Sequence, residues 1–191
     1  MCDVCYTCLV QPVKTKSIAM PYQSPDSTLE LYRKKVRLMI ENNSPDIIGN
    51  QSKEHAIIIL QEFISHAKEN VYIACTRLSK SIYGNPTLFG IIEDAIHRGV
   101  VFNVSIKGDV AECQHCVNLF SDNGIKIKKS NPAMLDFCVI DGKRFRMEKD
   151  QSTKEARVCA YNPSLARQMV ALFNEFCEDR IPNQCCQQHG L

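Results

Sequence analysis

Two short apolar runs constrain this chain more than anything else in it, because of what lies between them. VYIAC (residues 71–75) and VVFNVSI (residues 100–106) are β-prone and apolar almost throughout, the pattern of strands buried on both faces. Between them stands Asn85-Pro86. That pair opens helices: the asparagine side chain caps the first turn, and proline fits the first helical position. The helical pattern runs to His97 and is closed by Arg98 and Gly99, as a helix C-terminus is. Strand, helix and strand in that order predict neighbouring parallel strands with helical cover.

The alternation extends in both directions. Ser52 is placed to cap a helix reaching about Lys68, with Ile57, Ile58, Leu60, Phe63 and Ile64 as its apolar residues. A third helix is expected over residues 111–120, stopped by Asn123-Gly124. IKIKK (residues 125–129) then reads as a short strand with alternating lysines. FCVID and KRFRM flank Asp141-Gly142, a hairpin signal. ARVCAY (residues 156–161) is a further strand, and Asn162-Pro163 starts a last helix to about Glu178. The fold class is therefore α/β: a mixed, mostly parallel sheet with helices on both faces, over residues 52–180.

Ahead of that domain, residues 1–51 read as a cysteine-containing extension with one amphipathic helix. Leu29, Tyr32, Val36, Met39 and Ile40 form its stripe, and Arg33, Lys34, Lys35 and Arg37 a basic face. Ser44-Pro45 and Gly49-Asn50 mark residues 42–51 as a linker or loop. Residues 181–191 form a cysteine-rich tail. A length of 191 residues suits one domain with terminal extensions, and a net charge of +2 does not by itself argue for nucleic acid. No apolar run approaches the ~20 residues that span a bilayer, and the N-terminus lacks a secretory pattern. An intracellular, cytoplasmic location is expected. Eleven cysteines there mean thiols, metal ligands or acylation sites rather than disulfides.

The ordered pieces ENVYIACTRLS, LFGIIEDAIHRGVVFNVSIKGD, FCVIDGKRF and EARVCAYNPSLARQMVALFNEFCED together resemble the phospholipase D-like superfamily, in particular its small single-domain nucleases. The resemblance covers about residues 53–179. It implies an active site built on His-x-Lys, four residues and Asp, then Gly-Ser or Gly-Gly and an Asn. In that chemistry the histidine attacks phosphorus, while lysine and asparagine stabilise developing negative charge. The resemblance also implies a homodimer, since single-domain members join two such motifs across a two-fold axis.

Laid on this chain, the histidine position is Met134 and the lysine position is Asp136. The Gly-Ser positions are Glu148 and Lys149, and the asparagine position is Gln151. Only Asp141 matches, and an aspartate at a hairpin turn has its own structural reason to be there. A thioether cannot form a phosphohistidine, and a carboxylate repels phosphate. These substitutions imply a non-catalytic homodimeric binding protein, an inhibitor or adaptor, whose partner is a protein or a nucleic acid. An enzyme with a displaced catalytic set, including Asp141 or His115, is the competing class.

Four other features of the sequence need weighing. His66-Ala67-Lys68 has His-x-Lys spacing but falls at a helix end. Cys2, Cys5, Cys8, Cys185, Cys186 and His189 have the residue types of a zinc site if the chain ends meet, and the thiols alternatively suit acylation, which would bring a membrane in as partner. Cys113, His115 and Cys116 form a second metal candidate, read first as a buried cysteine with exposed neighbours. Lys126, Lys128, Lys129, Lys143, Arg144, Arg146 and Lys149 are the candidate binding residues for a phosphate backbone, or else a solvated sheet edge.

Overall fold

The computed structural model describes residues 25–149 and 155–178. In chain order these form α1 (Pro25–Glu41), β1 (Ile47–Asn50), α2 (Lys53–Ser65), β2 (Asn70–Cys75), α3 (Lys80–Tyr83), α4 (Pro86–His97) and β3 (Val101–Ile106). A 3-10 turn (Val110–Cys113) leads into α5 (Gln114–Asp122), followed by β4 (Ile127–Ser130), β5 (Phe137–Ile140), β6 (Arg144–Glu148), β7 (Ala156–Cys159), α6 (Pro163–Phe176) and β8 (Cys177–Glu178).

The helix caps act as the sequence implies. Ser52, Asn85 and Asn162 accept from the backbone N–H of His55, Leu88 and Leu165, satisfying amides that have no partner within the helix. At the β5–β6 hairpin, Asp141 and Gly142 take positive φ values of 51° and 58°, the pair of left-handed residues a tight hairpin requires.

The strands form one sheet in the order β1-β7-β6-β5-β2-β3-β4-β8. It is mixed, as expected, but parallel pairing is confined to β2–β3 and β3–β4, and every other ladder is antiparallel. The helical crossovers account for the parallel part. The β5–β6 hairpin and β7 extend the other half through short antiparallel connections, and β1 joins its edge from more than a hundred positions earlier in the chain. Residues 47–50 are not loop: they form the edge strand β1 on β7. Here pairing with β7 overrides the turn signals of Pro45 and Gly49.

Alternate residues of the central strands enter two cores. Val71, Ile73, Cys138, Ile140, Val104 and Val158 face the larger one, capped by α1, α2, α4 and α5. Ala74, Phe137, Val139, Phe145 and Cys159 face a smaller one capped by α6 through Ala166, Met169 and Phe173. This two-sided burial is why VYIAC is apolar without alternation. Helix α1 is tied to α2 through the buried Glu62, which accepts from Arg33 at 2.7 Å and Arg37 at 2.9 Å.

Candidate functional site

The C-terminal ends of β2 and β3, the N-terminal end of β5 and the N-terminus of α2 meet at one end of the sheet. A cleft of about 420 Å³ opens there, on the face covered by α2. Its polar lining includes Ser52, Lys53, Thr76, Arg77, Arg146 and Glu148, with Asp136 at the root of β5.

Asp136 is held from three directions. Its carboxylate accepts from the backbone N–H of Thr76 at 2.9 Å and from the Thr76 hydroxyl at 3.2 Å. The ammonium of Lys107, at the end of β3, forms an ion pair with it and also donates to the Met134 carbonyl oxygen. Lys107 and Asp136 expose only 4% and 12% of their side chains, so each charge depends on the other for its solvation. A lysine thus does stand beside position 136, delivered by a different strand and already neutralised.

Met134 points away from the cleft into the smaller core, packed among Phe137, Met169 and Phe173. The described residues hold four histidines, and none lines the cleft. His55 stacks on Tyr32 with ring centroids 3.9 Å apart. His66 sits beyond α2 with Nδ1 2.7 Å from the Glu62 carbonyl, an exposed helix end rather than half of a catalytic pair. His115 is exposed on α5, while Cys113 and Cys116 beside it are buried. No group of three or more metal-ligating side chains clusters among the described residues. Cys2, Cys5, Cys8, Cys185, Cys186, His189 and Gln151 lie outside the described residues.

Asp141 is engaged elsewhere. Its carboxylate accepts from the backbone N–H groups of Lys68, Glu69 and Asn70, closest at 2.9 Å, and lies 3.4 Å from Arg144. It therefore ties the hairpin to the loop between α2 and β2, at the far end of β5 from the cleft. Burial pushes the Arg144 guanidinium below its ordinary pKa, against the opposing pull of Asp141.

The seven basic candidates do not form one surface. Lys126 precedes β4, which carries Lys128 and Lys129, whereas Arg144 and Arg146 lie on β6, with β3, β2 and β5 between. Four strand spacings are about 19 Å. Lys129 donates to the Gly108 carbonyl, Lys149 pairs with Glu155 at 3.5 Å, and Arg146 is bonded to Asn50 and Glu148 at 2.8 and 2.9 Å. Arg146 alone of the seven lines the cleft, where Lys53 and Arg77 join it. These two were not singled out by sequence, since Lys53 reaches that end through the packing of α2 on the sheet and Arg77 through the end of β2 beside β5.

A second depression lies on the opposite face of the sheet, beside the same loop. It is an apolar groove of about 310 Å³ between α6 and residues 131–135, with Met147 and Phe137 at its base. Buried Phe137 borders both cavities.

No family model matches the sequence, and no curated protein matches it. Solved structures do match. Nuc from Salmonella typhimurium, a phospholipase D family member, superposes with a TM-score of 0.57 at 15% identity, covering 72% of this chain and 99% of Nuc. TrmBL2, an archaeal chromatin protein with its own mode of DNA binding, gives a TM-score of 0.55 at 12% identity, covering 81% of this chain and 63% of that one. With strand order, crossovers and terminal helix already placed, the chain has the phospholipase D-like fold.

Proposed function

We propose that this protein is a non-catalytic, homodimeric member of the phospholipase D-like fold that acts by binding another protein, as an inhibitor or adaptor. The observation that supports this most is the state of the two motif positions. Met134 is packed into the core, and Asp136 is closed on Lys107. Phosphoryl transfer through a phosphohistidine needs an exposed imidazole and a free cation to hold the phosphate oxygens. Among the described residues no imidazole lines the cleft, and the cation beside position 136 is neutralised by a carboxylate that would itself repel the substrate.

A protein partner is favoured over nucleic acid by the charge arrangement. Arg144, Arg146, Lys149 and Lys107 each have an internal acidic partner. Binding that draws on phosphate contacts requires cations free to release counterions. Lys53 and Arg77, both exposed along the cleft and paired only with the exposed Glu54 and Glu112 at 3.8 and 3.5 Å, favour nucleic acid as the second reading.

The test is recovery of partners from the native cell with and without nuclease treatment, alongside incubation of pure protein with single-stranded and duplex nucleic acid and a phosphodiester reporter. A partner retained after nuclease digestion and no turnover are expected. Turnover abolished by Lys107→Met or His115→Ala would overturn the non-catalytic reading, and a partner lost on digestion would replace protein with nucleic acid.

A further inference from the structure

Helix α1 carries two apolar stripes, and the fold buries one of them. Val36, Met39 and Ile40 enter the larger core, and Tyr32 stacks on His55 of α2. Arg33 bonds both Glu62 and Gln61 at 2.7 Å, and Arg37 bonds Glu62 at 2.9 Å. Those contacts fix the rotation of α1 about its axis. They leave Leu31 and Leu38 facing solvent, 55% and 48% exposed. The two leucines lie about 10.5 Å apart along the axis and within about 20° of each other around it. Large apolar side chains aligned in this way mark an interaction surface rather than scattered surface residues.

The charges around the stripe indicate what covers it. Lys34 and Lys35 lie between the leucines, about 60° to one side of Leu31 and about 40° to the other. Both are exposed, and neither has an ion-pair partner among the described residues. A shallow depression of about 590 Å³ adjoins them, lined also by Met39, Asn42, Ser44 and Asp46. The complement of this face is a helix with apolar side chains two turns apart and carboxylates between them, spaced as anchors are when one amphipathic helix docks on another surface. Charges at an interface act on specificity and encounter rate more than on affinity. The leucines therefore supply contact, and the lysines select the sign of the partner. A continuous anionic surface such as a lipid bilayer fits less well. Glu30 and Glu41 on α1 and Asp46 in the depression are exposed beside the same lysines and would be repelled by it. Discrete side chains on a helix reach Lys34 and Lys35 one at a time.

We infer that the protein partner docks on the exposed face of α1 through an acidic amphipathic helix. The partner's apolar residues seat on Leu31 and Leu38, and its carboxylates pair with Lys34 and Lys35. This rests on the protein-binding reading above and names the surface and the partner's chemistry. The surface owes nothing to the altered motif positions, since α1 precedes residues 53–179, the span of the family resemblance.

A displayed library of helical peptides, with leucine fixed at two positions two turns apart and the rest randomised, tests it when panned on the full chain under reducing conditions. Enriched peptides are expected to be acidic. By fluorescence anisotropy, an enriched peptide is expected to bind Leu31→Ser/Leu38→Ser about tenfold or more weakly, because a few apolar anchors carry most of such an interface. Lys34→Glu/Lys35→Glu is expected to weaken it by about as much, through like-charge repulsion. Replacing the peptide's glutamates with lysines is expected to restore binding to that charge-reversed variant. All four side chains are exposed, and melting temperatures measured in parallel confirm that the variants fold. The proposal is overturned by no enrichment over Leu31→Ser/Leu38→Ser, by enrichment of basic or uncharged peptides, or by acidic peptides that bind both variants as well as wild type. Vesicles of phosphatidylserine and phosphatidylcholine that bind wild type but not Lys34→Glu/Lys35→Glu, with no peptide enriched, overturn it in favour of a membrane surface. The partner recovered from the native cell is expected to be lost from Leu31→Ser/Leu38→Ser. A partner retained by that variant overturns this surface and leaves the protein-binding reading standing, whereas a partner lost on nuclease digestion overturns that reading itself.

Discussion

Replacing Asp136 with alanine should destabilise the protein far more than a substitution at a cleft margin normally does. The carboxylate is 12% exposed and its partner ammonium 4%. At an effective dielectric of about 20, two unit charges in contact attract by about 4 kcal/mol. That attraction offsets the desolvation of both ions, so the pair contributes little net stability while intact. Asp136→Ala removes the attraction, leaves Lys107 charged and buried with only the Met134 carbonyl, and strands the Thr76 N–H. Breaking a buried pair from one side costs about 3–5 kcal/mol. Asp136→Asn keeps an acceptor for Thr76 and should cost less. Lys107→Met/Asp136→Leu removes both charges and should lie much closer to wild type than the sum of its singles. Asp136→Lys, which restores the ammonium of an active motif, should be the least stable of all because it faces Lys107. Urea denaturation reads these differences at constant m, and a double-mutant cycle isolates the coupling, expected at about 2–3 kcal/mol. An Asp136→Ala variant within 1 kcal/mol of wild type, or additivity within about 0.5 kcal/mol, would refute the reasoning.

Asp141→Ala should cost about 3 kcal/mol in the same assay, since three backbone donors and the buried Arg144 lose their acceptor. Asp141→Asn, which tolerates the positive φ, should cost less. Glu62 adds a pH dependence. Burial works to raise its pKa, but the hydrogen bonds and charges of Arg37 and Arg33 outweigh that and hold it below the ordinary 4.5. Its folded pKa is depressed, so its contribution is fully present above the ordinary value. It is lost as pH falls through the lower folded value. Stability followed from pH 7 down through this range should fall less steeply in Glu62→Gln than in wild type. Burial also pushes the thiols of Cys75 and Cys138 upward, Cys138 to about 12. Iodoacetamide at neutral pH should leave both unmodified in the native protein and label them in urea, with peptide masses as the readout.

Local signals in the sequence carried most of the fold. Asn85-Pro86, Asn162-Pro163 and Asp141-Gly142 each satisfy a backbone requirement within a few residues of themselves, so the helices and the hairpin they open are legible without tertiary information. Strand β1 is not of that kind. Its four residues IIGN carry a glycine and follow a proline, and only the ladder to β7, more than a hundred positions later, makes them a strand. The candidate site divides the same way. Met134 and Asp136 stand out in sequence because a motif fixes their spacing, but Lys107 precedes Met134 by 27 residues and meets it only through the crossover from β3 to β5 by way of β2. The expected basic cluster from Lys126 to Lys149 fails for the converse reason. Residues close in sequence are placed on β4 and β6, which the sheet order separates by three strands. What sequence proximity cannot supply is the sign of a site. A lysine brought in by strand order to face an aspartate cancels a charge that either residue, read alone, would have assigned to a ligand.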